Sequence, residues 1–382
     1  MRRRVALVTE IISPYRIPLF NALAGQPDID LHVIFLAETD PSLRQWQIYK
    51  EEITFSYRVL SSWRRRIGKY NLLLNRGVTD ALRETAPHVI ICGGYSYIAS
   101  WQCLYWSRSH RVPFLLWSES NQQDLRRGTR IVESLKKEFL SRCTGFIVPG
   151  QSAREYLRSQ VLRDETIFTA PNAVDNDLFS ATADQARNDA VQLREKLALP
   201  DRYFLFVGRL VAEKGVFDLL AAYAKLEDRL RKQIGLVFVG GGACREALEE
   251  QAGTILPGVV RFAGFVQRNE LANYYGLAQA LVLPTLSDTW GLVVNEAMAC
   301  GLPIIVSEVA GCALDLVKPN WNGLLVSPGH TASLSAAMAS FAVDPNVCQK
   351  MGFKSQYHIS HFTPEVWAKS IACAIEVVGS VQ

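Results

Sequence analysis

Two carboxylates, Asp288 and Glu296, stand eight residues apart in the segment Pro284–Pro303, PTLSDTWGLVVNEAMACGLP. An apolar run of strand length precedes them. Asp288 has the side chain of a helix N-cap, Gly291–Cys300 follows with helical periodicity, and Gly301 with Pro303 stops it. The pattern predicts a helix opened by Asp288, with Glu296 two turns inside. Eight helical steps separate two residues by roughly 12 Å along the axis and turn them about 80° apart. Carboxyl groups that cleave a glycoside sit about 5 Å apart when they retain configuration, and somewhat under about 10 Å when they invert it. The pair therefore suits gripping two parts of one extended ligand. Backbone N–H groups of Thr289, Trp290, Gly291 and Leu292 would offer an anion the open start of that helix.

A second constellation lies upstream. Gly208-Arg209 ends the apolar run Tyr203–Val207, and Lys214-Gly215 opens a segment whose apolar positions Val216, Leu219, Leu220, Tyr223 and Leu226 fit a helix. Two cations beside a strand end and a helix start suit a departing diphosphate, because fixed positive charge stabilises the negative charge that builds as a bond to phosphate breaks. On spacing alone, a surface Arg and Lys near a turn is the better account. The acid-bearing segment downstream favours the phosphate. Gly240-Gly241-Gly242 follows another strand-like run and would let backbone approach a ligand closely.

Short apolar runs must position these residues. One set falls at Arg4–Thr9, Leu31–Leu36, His88–Cys92, Pro113–Trp117, Gly145–Val148 and Thr166–Ala170; another at Tyr203–Val207, Gly235–Val239, Val259–Phe262, Ala280–Leu283, Pro303–Val306 and Gly323–Val326. Longer helical or polar stretches separate them, which is the rhythm of parallel α/β sheets. With 382 residues, two doubly wound, Rossmann-like domains are expected. The junction falls near Pro171–Leu178, after which the polar stretch around Ala181–Asp189 precedes the second set. Ligands in such sheets bind beyond the carboxyl ends of the strands, so a cleft between the domains is the expected site.

Composition excludes several classes. Hydrophobic residues at 49% and charged residues at 20% describe a folded chain without low-complexity tracts. Residues 1–170 carry 24 Lys/Arg against 16 Asp/Glu, whereas 171–382 carry 17 against 21. This asymmetry and the run Trp63–Tyr70, WRRRIGKY, fit equally a solvated loop and peripheral contact of Arg64–Lys69 with a membrane. No nucleic-acid motif accompanies it. The eight cysteines show no metal-type spacing and read as reduced core residues. The basic start breaks at Thr9-Glu10, too short for a signal peptide, and no apolar stretch reaches membrane-spanning length. A cytoplasmic location is expected, at most peripheral at the inner membrane face. The loop Ser13-Pro14-Tyr15-Arg16 lacks the glycines of a nicotinamide site, and no catalytic triad, zincin or P-loop pattern occurs. Metal dependence and a cofactor are not expected.

The segment Asp288–Glu296 resembles the E-x7-E motif of retaining GT-B glycosyltransferases, with Asp where the family commonly has Glu. Phe206-Val-Gly-Arg-Leu-Val-Ala-Glu-Lys-Gly215, Pro171-Asn-Ala-Val-Asp175 and Pro14-Tyr-Arg-Ile-Pro-Leu-Phe-Asn-Ala-Leu23 extend the resemblance in order over most of the chain. It implies a GT-B architecture: an acceptor-side domain over 1–175, a donor domain over 176–361, and a final helix over 362–382 crossing back to the first. It places Arg209 and Lys214 on the donor phosphates, Glu296 on the ribose hydroxyls, Asp288 on the sugar hydroxyls, and Gly264-Phe265-Val266 at the base through main-chain groups. Trp290 either lines the donor site or packs in the core. On the acceptor side, Glu119 in the loop Ser118-Glu119-Ser120-Asn121 is a candidate, as is the turn Gly93-Gly94-Tyr95-Ser96. The implied partners are a nucleotide-sugar donor and a glycan or lipid-linked glycan acceptor, with a role in polysaccharide or cell-envelope glycan synthesis. Two rival functions share these features: a nucleotide-sugar epimerase and a non-catalytic nucleotide-binding subunit.

Overall fold

The structure is a computed structural model and describes residues 2–40, 45–67, 70–122, 130–161, 166–255 and 257–380. The chain divides into two compact units. One takes the chain up to Val174 and again from Pro364 onward; Asp175–Thr363 make nearly all of the other.

Fifteen strands are present among the described residues. In the first unit they are β1 Arg3–Thr9, β2 Ile29–Phe35, β3 Ser56–Val59, β4 Ser61–Ile67, β5 Tyr70–Arg76, β6 Val89–Gly93, β7 Phe114–Trp117, β8 Gly145–Val148 and β9 Ile167–Thr169. Seven form a parallel sheet in the order β3-β2-β1-β6-β7-β8-β9, and β4 with β5 form an antiparallel hairpin. The second unit contains β10 Tyr203–Val207, β11 Gly235–Val239, β12 Val260–Gly264, β13 Ala280–Leu283, β14 Ile304–Ser307 and β15 Gly323–Val326. These make a parallel sheet in the order β12-β11-β10-β13-β14-β15. In both sheets the order reverses beside the first strand, between β1 and β6 and between β10 and β13. Loops diverge at such a reversal and leave a crevice at the carboxyl ends of the strands.

Burial on both faces explains the runs seen in sequence. Every residue of β7, β8, β10, β11, β13 and β14 is buried, as crossover helices on both sides require. The two doubly wound parallel sheets are as expected. Three local features depart from the sequence reading or lie outside it. The polar stretch around Ala181–Asp189 lies largely in helix Asn176–Asn188, capped by Asp175, whose carboxylate accepts from the Leu178 amide at 2.9 Å. Strand β3 was not expected, because Ser56-Tyr57-Arg58 is exposed at a sheet edge and lacks the apolar signature. The basic run from Trp63 is hairpin rather than loop. Arg64 turns inward, 3.1 Å from Glu10 and paired with the buried Asp40, so it is no membrane-facing charge. Gly68 and Lys69 of that expectation lie outside the described residues.

The last helix, Pro364–Gly379, belongs to the first unit. Its Trp367 is fully buried, with ring centroids 6.0 Å from Phe20 and 5.3 Å from Trp117, and Arg3 donates to the Ile375 carbonyl at 2.8 Å. All eight cysteines are free; six are buried, Cys244 is half-buried and Cys373 is exposed, so the last two depart from the core reading. Among the described residues no helix is long and apolar enough to cross a membrane, and no group of three or more His, Cys, Asp or Glu could hold a metal ion.

Candidate active site

The order β12-β11-β10-β13 sets four loops side by side in the second unit: Gly264–Val266, Gly240–Gly242, Gly208–Lys214 and Pro284–Gly291. Backbone hydrogen bonds lace them together. The Gly208 amide donates to Val239 at 3.0 Å, Gly240 to Gly264 at 2.7 Å, and Leu210 to Gly241 at 2.9 Å. Gly240 has φ +132°, and a Cβ there would fall 1.9 Å from the Gly208 carbonyl oxygen. Only glycine allows this approach. Val266 is half-buried between β12 and helix Arg268–Leu277.

Lys214 reaches its place through backbone contacts. Ala212–Lys214 is a short 3-10 turn, and the carbonyl of Glu213 accepts from the Leu286 amide at 2.9 Å and the Thr285 hydroxyl at 3.1 Å. Gly215, at φ +66°, lies so near the Pro284 carbonyl that a Cβ would come within 2.0 Å of its oxygen. This docking brings Lys214 Nζ to 2.6 Å from Asp288 Oδ2, both side chains about 15% exposed. Arg209 stays at the surface, its guanidinium 2.6 Å from Glu213.

The helix after β13 differs from the expected one at its start. It runs Leu292–Ala299 with Gly291 as N-cap at φ +98°, so Asp288 precedes it in the loop. The carbonyl of Asp288 is held by the Gly311 amide at 3.1 Å, and an Asp288–Ala310 bridge fixes the loop alongside the segment after β14. That tether leaves the Asp288 carboxylate turned to Lys214 rather than capping the helix. Thr289 shares the anchorage, since a Cβ on Gly311 would lie 1.9 Å from its carbonyl oxygen. Of the two options for Trp290, the core prevails: its indole is 2% exposed and donates to Asn295 Oδ1 at 2.9 Å. Leu292, half-buried, supplies a first-turn amide, which has no helical carbonyl behind it.

Glu296 sits in the second turn of this helix, partly covered as a residue but with its carboxylate head among protein atoms. Tyr275, fully buried on helix Arg268–Leu277, donates its hydroxyl to Glu296 Oε2 at 2.7 Å. Burial pushes the Glu296 carboxyl up to about 7; the Tyr275 hydrogen bond and the charge of Arg268 counter only part of it. The same burial, with the Glu296 charge beside it, raises the Tyr275 hydroxyl well above its ordinary range. Tyr275 was not singled out from sequence. It is one of two adjacent tyrosines in a helix, and nothing local marks which faces an acid 21 residues later.

Glu119 belongs to the first unit. Loops after β1, β7 and β9 converge there: Arg16 pairs with Glu119 and donates to Asn172 Oδ1 at 3.0 Å, and Asn172 donates to Glu119 Oε1 at 3.2 Å. The guanidinium lies 4.1 Å from the Trp117 ring centroid. Arg16 and Asn172 fall within motifs visible in sequence, yet only the fold shows them as the clamp on Glu119.

Comparison with known proteins gives this geometry its context. Residues 190–356 match the family Glycosyl transferases group 1, and residues 19–178 match Glycosyltransferase Family 4. A D-inositol 3-phosphate glycosyltransferase of Streptomyces bingchenggensis is 34% identical over 196 residues, 48% of this chain and 42% of that protein. The matches to curated relatives thus span about half the length of each or less. Among solved structures, HepE of Anabaena in complex with UDP and glucose has a TM-score of 0.75 at 17% identity, over 98% of this chain and all of that one. Sucrose-phosphate synthase of Thermosynechococcus elongatus has a TM-score of 0.75 at 21% identity over the whole of both chains. The two family matches between them take in most of the sequence, and the chain belongs to the glycosyltransferases of the GT-B fold, with a family 4 first half and a group 1 second half.

Proposed function

We propose that this protein is a retaining glycosyltransferase that moves a sugar from a nucleoside diphosphate to a hydroxyl of a glycan or glycolipid acceptor. The observation that carries the reading is the Lys214–Asp288 pair at the strand-order reversal of the second sheet, with Glu296 on the adjoining helix. HepE was crystallised with UDP and with UDP-glucose, which supports a nucleotide-sugar donor here. Lys214 and Arg209 take the diphosphate, Glu296 the ribose hydroxyls, and Asp288 the hydroxyls of the transferred sugar. The glycine-rich loops at Gly208 and Gly240–Gly241 bring backbone close to the phosphates, and the Gly264–Val266 loop takes the base. The bond between the anomeric carbon and the diphosphate oxygen breaks while the acceptor oxygen bonds that carbon from the same face. The acceptor proton passes to the departing phosphate. Fixed cations and backbone dipoles do the work that a divalent ion does in other transferases. Glu119, clamped by Arg16 and Asn172, is the acceptor-side acid.

A panel of nucleoside diphosphates and their sugars tests the reading. One of them raises the melting temperature, since a ligand that binds only the folded state stabilises it. With an acceptor mixture, that donor then yields a glycoside of unchanged anomeric configuration by NMR. An epimerised sugar from donor alone, or binding without consumption under any acceptor, would remove the transferase assignment.

A further inference from the structure

Helix Pro345–Ile359 contains no acidic residue, and Lys350, Phe353, Lys354 and Tyr357 recur on one side of it at helical spacing. Phe353 is 63% exposed and Tyr357 67%, unusual for rings of that size. The segment ahead of β15 adjoins this side. Its Trp321 has Lys318 Nζ 5.1 Å and Lys354 Nζ 5.7 Å from the ring centroid, and His358 edge-on at 6.0 Å. His358 Nε2 lies 3.0 Å from the Asp315 carbonyl oxygen, next to Leu314, which is 53% exposed. Among the described residues no carboxylate pairs with Lys318, Lys350 or Lys354. Asp344, the acid that opens the helix, is spent on its cap, accepting from the Asn346 and Val347 amides.

We propose that this face seats the protein on an anionic bilayer surface. Exposed phenylalanine enters the boundary between headgroups and acyl chains, tyrosine and tryptophan sit at headgroup level, and lysines with no internal counter-ion meet lipid phosphates. Lysine is depleted at protein–protein interfaces, so three unpaired lysines around aromatic rings favour a lipid surface over a protein partner. Arg64 of the hairpin does not serve in the same way, because it is committed to Glu10 and Asp40.

The full chain should co-sediment with vesicles containing phosphatidylglycerol and not with phosphatidylcholine alone, and added salt should release it. Replacing Lys318, Lys350 and Lys354 together by serine should lower the partition coefficient about a hundredfold. The pair F353S and Y357S should lower it as well, with charge unchanged. Arg65→Ser with Arg66→Ser should leave it unaltered. Equal melting temperatures across the variants would confirm that each is folded. The proposal is overturned by absent sedimentation on anionic vesicles, by loss confined to the hairpin variant, or by self-association that F353S and Y357S abolish, which would make the face a contact between copies. None of these outcomes depends on nucleotide binding.

Discussion

Lys214→Ala should lower turnover by about a hundred- to a thousandfold, the range seen when one preorganised group is removed from a site of developing negative charge. The loss should appear in both donor affinity and turnover number, because the ammonium meets the diphosphate before and during bond cleavage. Asp288→Asn should behave differently. In the free protein Lys214 is neutralised by Asp288 at 2.6 Å, so removing that negative charge leaves the lysine wholly to the phosphates. The asparagine variant should bind the free nucleoside diphosphate at least as tightly as the parent while losing turnover, since the sugar loses its carboxylate. Steady-state kinetics with direct titration of nucleotide would separate the two variants. Equal weakening of nucleotide binding in both would show that the pair serves only the fold.

Glu296→Gln should raise stability and weaken nucleotide binding, both in a pH-dependent way. The Glu296 carboxyl lies near 4.5 in an unfolded chain and at about 7 in the folded one. Between these values the folded form holds a proton that the unfolded form has lost. Stability therefore falls as pH rises through that window, by about 3 kcal/mol once pH exceeds 7. Glutamine keeps an acceptor for Tyr275 without the charge. The variant should melt higher than the parent at pH 8, and the gap should close toward pH 4.5. In the opposite sense, an ionised Glu296 grips ribose hydroxyls better than an amide, a difference of about tenfold in affinity above pH 7. Parent affinity should climb up to about pH 7 more steeply than that of the variant, whose profile reports the ligand's own phosphate ionisation. Calorimetry across pH 5–8 reads the difference; parallel profiles would detach Glu296 from the nucleotide. Holding an acid where burial disfavours its charge costs stability, as functional groups commonly do.

The sheets could be read from the sequence because their strands are buried on both faces and so appear as uninterrupted apolar runs such as Tyr203–Val207. Strand β3 and the hairpin Ser61–Arg76 could not, since an exposed edge and a cross-strand pairing leave no such local signature. The candidate residues were visible through type and spacing, but their partners were not. Lys214 and Asp288 are 74 positions apart, and what joins them is the close backbone approach of Gly215 to Pro284. Asp288 looked like a helix cap because aspartate commonly is one. Its tether to the segment after β14 through Gly311 moves it off the helix, and Gly291 caps in its place. Trp290 had two plausible fates, and the buried Asn295 amide oxygen decides between them by accepting the indole proton.

The claim on which the site rests is that one nucleoside diphosphate spans Lys214 and Glu296 within the second unit. A crystal structure of the protein soaked with the nucleoside diphosphate that most raises its melting temperature tests this directly. A phosphate oxygen should lie within hydrogen-bond distance of Lys214 Nζ, and ribose hydroxyls within that distance of the Glu296 carboxylate. Nucleotide bound elsewhere, with Lys214 still closed on Asp288 and Glu296 contacting only Tyr275, would contradict it.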